Sequence, residues 1–121
     1  LMDGAELIAL EKDRYWMAQD GLSLSAGPFV SALEFAAGKE AFIMGKPSKT
    51  FFEIALKDMN LQPGQVAMIG DDLCTDVGGA HAAGMTGILV RTGKFREECL
   101  RNSSIKPDAI INSIAHLQEI V

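Results

Sequence analysis

Val66-Ala67-Met68-Ile69-Gly70-Asp71-Asp72-Leu73-Cys74-Thr75-Asp76 is the stretch on which the fold turns. Four apolar residues stop at a glycine, and three carboxylates follow within six positions. An apolar run of that length without polar alternation suits a strand buried on both faces, as in a parallel sheet. Open parallel sheets bind ligands at the carboxyl ends of their strands, which is where these aspartates stand.

The pattern repeats on either side. A Gly- and Ala-rich helix is expected from about Thr75 to Gly84, then a strand over Gly87–Val90 and a turn at Thr92-Gly93. A polar helix near Arg96–Leu100, a short strand Ala109–Ile111 and a last helix capped by Ser113 follow. Ile114, Leu117, Ile120 and Val121 of that helix should face inward. Upstream, Ser48 is placed to cap a helix whose Phe51, Phe52, Ala55, Leu56 and Met59 form one apolar stripe, ended by Asn60 and Pro63-Gly64. Ala41–Met44 and Leu7–Leu10 read as strands. A helix opening at Pro28, with Val30, Leu33, Ala36 and Ala37 at helical spacing, closes on Gly38. Residues 11–25 are polar and dotted with aromatics, with no assigned element. From residue 41 onward strands alternate with helices, which predicts right-handed crossovers and one parallel sheet covered on both faces.

The 121 residues make about one small domain, 48% hydrophobic and 22% charged, which excludes a disordered, collagen-like or coiled-coil chain. Eleven basic against sixteen acidic side chains leave a net charge of −5 with no basic stripe, so nucleic acid is not expected as a partner. No apolar run approaches the roughly 20 residues of a membrane-spanning helix, and no secretion signal is visible. Cys74 and Cys99 are too few for a disulfide framework or a zinc site and suit a reduced, cytoplasmic setting.

If the strands are parallel, Lys46 of Gly45-Lys46-Pro47-Ser48 stands on the same rim as Asp71, Asp72 and Asp76. Three adjacent carboxylates repel unless a cation or backbone donors neutralise them, and hard oxygen ligands suit Mg²⁺. Lys46 adds a point positive charge ahead of a helix N-terminus, where anions are favoured. A metal on one side and an ammonium on the other can hold a phosphoryl group, so the arrangement points to phosphate chemistry. Gly-Asp-Asp or Gly-Lys-Pro alone would be ordinary turns, and Gly93-Lys94 lacks the P-loop spacing. His81 and His116 read as surface histidines, and Tyr15 and Trp16 as packing residues.

Taken together, Lys46-Pro47 at a helix start, Gly70-Asp71-Asp72-Leu73-Cys74-Thr75-Asp76, Gly79-Ala80 and Ala83-Gly84 resemble the haloacid dehalogenase-like hydrolases. The fourth motif of that superfamily has the form G-D-x-x-x-T-D, and its third is a lysine preceding a helix. The likeness runs back through Gly27-Pro28-Phe29 to Glu6–Ala9 and forward to Phe95. In that extent it is similar to the capped subclass IIA, which includes the phospholysine phosphohistidine inorganic pyrophosphate phosphatases. The resemblance implies an α/β fold: a partial Rossmann-like parallel sheet with helices on both faces. Residues 1–42 would be the remnant of a cap domain, and residues 43–121 the C-terminal half of the hydrolase core. It further implies that Lys46 stabilises the nucleophile and binds the phosphoryl group, and that Asp71 ligates Mg²⁺. Asp72 or Asp76 would hold a metal-bound water or fix the loop. Lys46 and Asp76 are thus the catalytic candidates, Lys46 the substrate-binding one, and Asp71 and Asp72 the metal candidates.

The departure is equally plain. The family attacks phosphorus with an aspartate of an N-terminal D-x-D-G motif, and a second motif supplies a Ser or Thr; neither is here. Met2-Asp3-Gly4 and Gln19-Asp20-Gly21 carry Asp-Gly, but Leu1 and Ala18 stand in the nucleophile's place. Two expectations follow. In the first, this is the C-terminal portion of a Mg²⁺-dependent phosphatase of small phosphorylated substrates that forms an aspartyl-phosphate outside this chain, which alone is inactive. In the second, it is a truncated, non-catalytic module that binds metal or a partner. The resemblance implies that the missing segment also carries the sheet's central strand; its loss should leave Val66–Ile69 with an open edge and helices with uncovered apolar stripes, so a homo-oligomer or association through that edge is expected.

Overall fold

The computed structural model describes residues 1–120. Its centre is a three-stranded parallel sheet of β5 (Ala67–Gly70), β6 (Thr86–Val90) and β7 (Ala109–Ile111), in the order β5-β6-β7. Ile69 stands beside Ile88, and Val90 beside Ile111. β6 is apolar and buried from Gly87 to Val90, as a central strand covered on both faces must be. Leu89 packs with Leu73 and Val77 under Phe95, Leu100 and Ile105. Its neighbours Ile88 and Val90 point the other way, onto Ile111, Ile69 and Leu117. This is the α/β class expected from the alternating runs.

Three further pieces lie ahead of that sheet. β1 (Ile8–Ala9) pairs in parallel with β4 (Phe42–Ile43). β2 (Tyr15–Ala18) and β3 (Gly21–Leu24) form an antiparallel hairpin closed between Ala18 and Gly21. α1 (Ala26–Ala37) begins two residues before Pro28 and ends on Gly38 in the left-handed conformation, φ 63°. The hairpin occupies the segment that had no assigned element; its signal was Asp20-Gly21 between short apolar runs.

One expectation about topology is corrected. The strand at residues 41–44 does not join the β5–β7 sheet; it completes a separate ladder with β1. Sequence alternation counts strands but carries no information on which partner a two-residue strand pairs with.

Between β4 and β5 runs α2 (Lys49–Met59), ended by Asn60 in the left-handed conformation. Phe52 and Leu56 are buried against Ala80, Ala83 and Met85, whereas Phe51 and Met59 are exposed, so the outer half of its stripe is uncovered. Ser48 occupies the N-cap position, but its hydroxyl makes no capping bond. After β5 a π-helical turn, Leu73–Gly78, leads into the single turn α3 (Gly79–Ala82). The helix therefore starts at Leu73, capped by Asp72, and not at Thr75. α4 (Glu97–Asn102) follows β6, and a 3₁₀ turn, Ile114–Glu119, follows β7. Of the residues expected to face inward there, Leu117 packs on the sheet but Ile114 and Ile120 are exposed. Val121 lies outside the described residues. β5 has β6 as its partner and a second edge unpaired among the described residues, as foreseen. No helix of the described residues is long and apolar enough to cross a membrane.

Candidate active site

The loop that leaves β5 holds the three aspartates in different roles. Asp72 is the N-cap of the π-helical turn: its Oδ1 accepts hydrogen bonds from Cys74 N–H and Thr75 N–H, each 3.0 Å. Its Oδ2 accepts one from the Lys94 ammonium at 2.8 Å. Burial pushes the Asp72 carboxyl up, but Lys94 and the two N–H groups outweigh it and hold it below the usual carboxylate range. Asp76 follows one turn later and is buried, with 2% of its surface exposed. Its Oδ2 accepts from Asp72 N–H at 3.0 Å, and its Oδ1 from the Lys46 ammonium at 2.5 Å. Lys46 comes from the turn between β4 and α2, so the lysine and the aspartates do meet on one rim. They meet because the chain passes from the β1–β4 ladder to α2 beside that loop, and not because β4 belongs to the sheet.

Asp71 points toward the loop after β6. Its Oδ2 accepts from Lys94 N–H at 2.6 Å. Gly93 makes this possible: it is left-handed, φ 52°, and a Cβ there would fall on the Asp71 carboxylate. Lys94 thus engages Asp71 through its main chain and Asp72 through its side chain. Its ammonium also donates to Asp13 Oδ2 at 2.8 Å and lies 5.8 Å from the centre of the Tyr15 ring. Although burial opposes it, the two carboxylates raise the Lys94 ammonium well above the ordinary lysine range. Lys94 and Asp13 were not among the sequence candidates. Nothing in the sequence around either residue points to the other, because the Lys94–Asp13 contact spans 81 residues.

A cleft of about 410 Å³ opens between residues 12–15 and this rim, with Arg14, Tyr15, Pro47, Thr75 and Lys94 among its walls. Thr75 Oγ1 is buried there without a hydrogen-bond partner. Away from the rim, His81 is tied to Asp108 (2.8 Å), which also accepts from Gly87 N–H. Cys74 and Cys99 are unbridged, and burial together with Asp72 pushes the Cys74 thiol up.

The residues suit one hard cation in part. Asp71 offers a carboxylate in the loop after β5, with one oxygen taken by Lys94 N–H, and Mg²⁺ takes one or two such ligands while keeping several waters. Asp72 has its oxygens engaged by N–H groups and Lys94. Among the described residues no three Asp, Glu, His or Cys side chains gather as a complete metal site.

Residues 43–117 match the family model described as HAD-hydrolase-like, well over half of the chain. The chain belongs to the haloacid dehalogenase-like hydrolases. Haloacid dehalogenase-like hydrolase domain-containing protein 2 of Bos taurus is 56% identical over 96 residues, covering 79% of this chain and 37% of that protein. The phospholysine phosphohistidine inorganic pyrophosphate phosphatase of Danio rerio is 47% identical over 111 residues, covering 90% of this chain and 40% of its own length. Among solved structures, the glycerol phosphate phosphatase of Mycobacterium tuberculosis in complex with magnesium superposes with a TM-score of 0.82. It shares 27% identity over 96% of this chain and 35% of that one. This haloacid dehalogenase-like chain therefore spans well under half the length of the relatives it matches.

Proposed function

We propose that this chain is the C-terminal portion of a Mg²⁺-dependent phosphatase. The whole protein would hydrolyse a small phosphorylated substrate through an aspartyl-phosphate formed on a residue outside this sequence. The observation that carries the reading is the Lys46–Asp76 pair, held by the loop that also carries Asp71 and Asp72, with Asp72 and Thr75 of that loop lining a cleft. Phosphatases among the similar proteins, one of them a magnesium complex, support it.

In this reading residues 1–42 are the end of a cap and residues 43–121 the C-terminal half of the core. Asp76, buried and bonded to Asp72 N–H, holds the Lys46 ammonium on the rim. Lys46 then offsets negative charge on the phosphoryl oxygens as it builds in the transition state. Asp72 caps the turn that presents Asp76, and so fixes the position of that pair. Asp71 would ligate Mg²⁺, which when bound supplies Lewis-acid stabilisation of a phosphoryl oxygen. The chain alone lacks the nucleophile, and covalent catalysis does not run without one.

The test is to express the complete reading frame that contains this sequence and measure Mg²⁺-dependent hydrolysis of p-nitrophenyl phosphate. Activity should be present in the parent, absent in the 121-residue chain, and lost in the parent's Lys46→Ala and Asp71→Asn variants by about 100-fold or more. Full activity in both variants would overturn the reading.

A further inference from the structure

The Lys94 ammonium lies between two carboxylates that belong to different parts of the fold. Asp72 opens the turn after β5, and Asp13 lies on the segment leading from β1 into the hairpin. We propose that Lys94 is a positioning residue, a latch whose ammonium, bridged between Asp72 and Asp13, sets the closed position of residues 11–24 over the aspartate rim. The functional consequence rests on the phosphatase reading; the latch itself does not.

Each end of the bridge is held independently. On the far side, Glu11 fastens the segment: it accepts from Asp13 N–H at 2.8 Å, from the Ser25 hydroxyl at 2.6 Å and from Ala26 N–H at 3.0 Å. Gly27 N–H adds a 2.9 Å bond to the Asp13 carbonyl, so Asp13 moves with the start of α1. On the near side, Asp72 is fixed as a helix cap, and the Lys94 main chain is pinned to Asp71. The lysine side chain is 14% exposed, and the two carboxylates are each 22% exposed. A pair so shielded is screened far less than one on an open surface. Tyr15 lies over the ammonium and comes from the same segment as Asp13, so engaging Lys94 also draws the Tyr15 ring to the cleft.

A lysine that merely neutralised Asp72 would need no partner across the cleft. Asp13→Asn separates the two roles, because it removes the far ion pair and leaves Lys94–Asp72 and the motif untouched. Hydrogen exchange followed by mass spectrometry on the 121-residue chain and on the parent reads the outcome. Asp13→Asn should speed exchange in β2 and β3 by roughly fivefold or more, with β5 and β6 unchanged. Lys94→Met should do the same and also loosen residues 72–76, and adding Asp13→Asn to it should add nothing in the hairpin. In the active parent, Asp13→Asn should raise KM more than it lowers kcat, and Lys94→Arg should keep the hairpin protected. Unchanged hairpin exchange in Asp13→Asn, or additive effects in the double variant, would overturn the latch. Because exchange needs no turnover, an inactive parent would refute the phosphatase reading and leave this one standing.

Discussion

The Lys46 ammonium and the Asp76 carboxylate meet at 2.5 Å although 30 residues separate them, and Asp76 is the buried charged residue of the core. A carboxylate taken out of water needs its charge offset, and here one lysine and one backbone N–H do so. The same pair is therefore both a structural tie and the cation of the proposed site.

Removing the lysine should be worse for folding than removing both charges. Lys46→Met leaves Asp76 buried and uncompensated, a loss of about 3 kcal/mol. The Lys46→Met, Asp76→Leu double variant should recover part of it. Urea denaturation of the wild type, Lys46→Met and the double variant measures this, and a double variant no more stable than Lys46→Met would contradict it.

Gly70 should tolerate no side chain. A Cβ there would fall on the Asp76 carboxylate itself, so Gly70→Ala forces the aspartate away from Lys46. A loss of about 2 kcal/mol or more is expected, accompanied in the parent by a drop in phosphatase activity. Wild-type stability and activity in Gly70→Ala would place Asp76 differently.

Acid should unfold the chain through identifiable groups. Burial pushes Asp72 and Glu11 up, but hydrogen bonds from Lys94 to Asp72, and from Ser25 and backbone N–H groups to Glu11, leave both below their ordinary values. Their contribution is present above the unfolded values, about 3.9 and 4.3, and is lost as pH falls through the lower folded ones. Lys94 is raised, so its contribution is complete below about 10.4 and fades only as pH rises through the higher folded value. Thermal melts should be nearly flat from about pH 5 to about pH 10 as far as these groups are concerned. A steep fall below about pH 4 should follow, shallower in Asp72→Asn.

The magnesium requirement proposed for the parent should depend on Asp71 far more than on Asp72. Asp71→Asn should raise the Mg²⁺ concentration for half-maximal activity by about tenfold or more. Asp72→Asn keeps a side-chain oxygen for the Cys74 and Thr75 N–H groups and should change that concentration little. Equal sensitivity of the two variants would make Asp72 a ligand as well.

Much of this was legible in the residues alone. Val66–Ile69 and Gly87–Val90 are apolar runs too short for helices, and G-D-x-x-x-T-D after the first of them is a local pattern with a local cause. A strand end, a capping aspartate and a one-turn helix bring Asp72 and Asp76 together whatever the rest of the chain does. Lys46 at a helix start was equally readable, whereas the open edge of β5 followed only from the family resemblance.

Contacts that span long stretches of chain were not readable. The pairing of β4 with β1, the position of Asp13 against Lys94 and the solvent exposure of Phe51, Ile114 and Ile120 all depend on which surfaces meet in space. A periodic pattern reports that a residue is apolar and where it lies on its own element, but not whether another element covers it. Local spacing thus set the motifs and the strands from β4 onward, because turns and caps are made by neighbours in sequence. Long-range packing chose the partners, because an ion pair across 81 residues leaves no mark on the composition of either end.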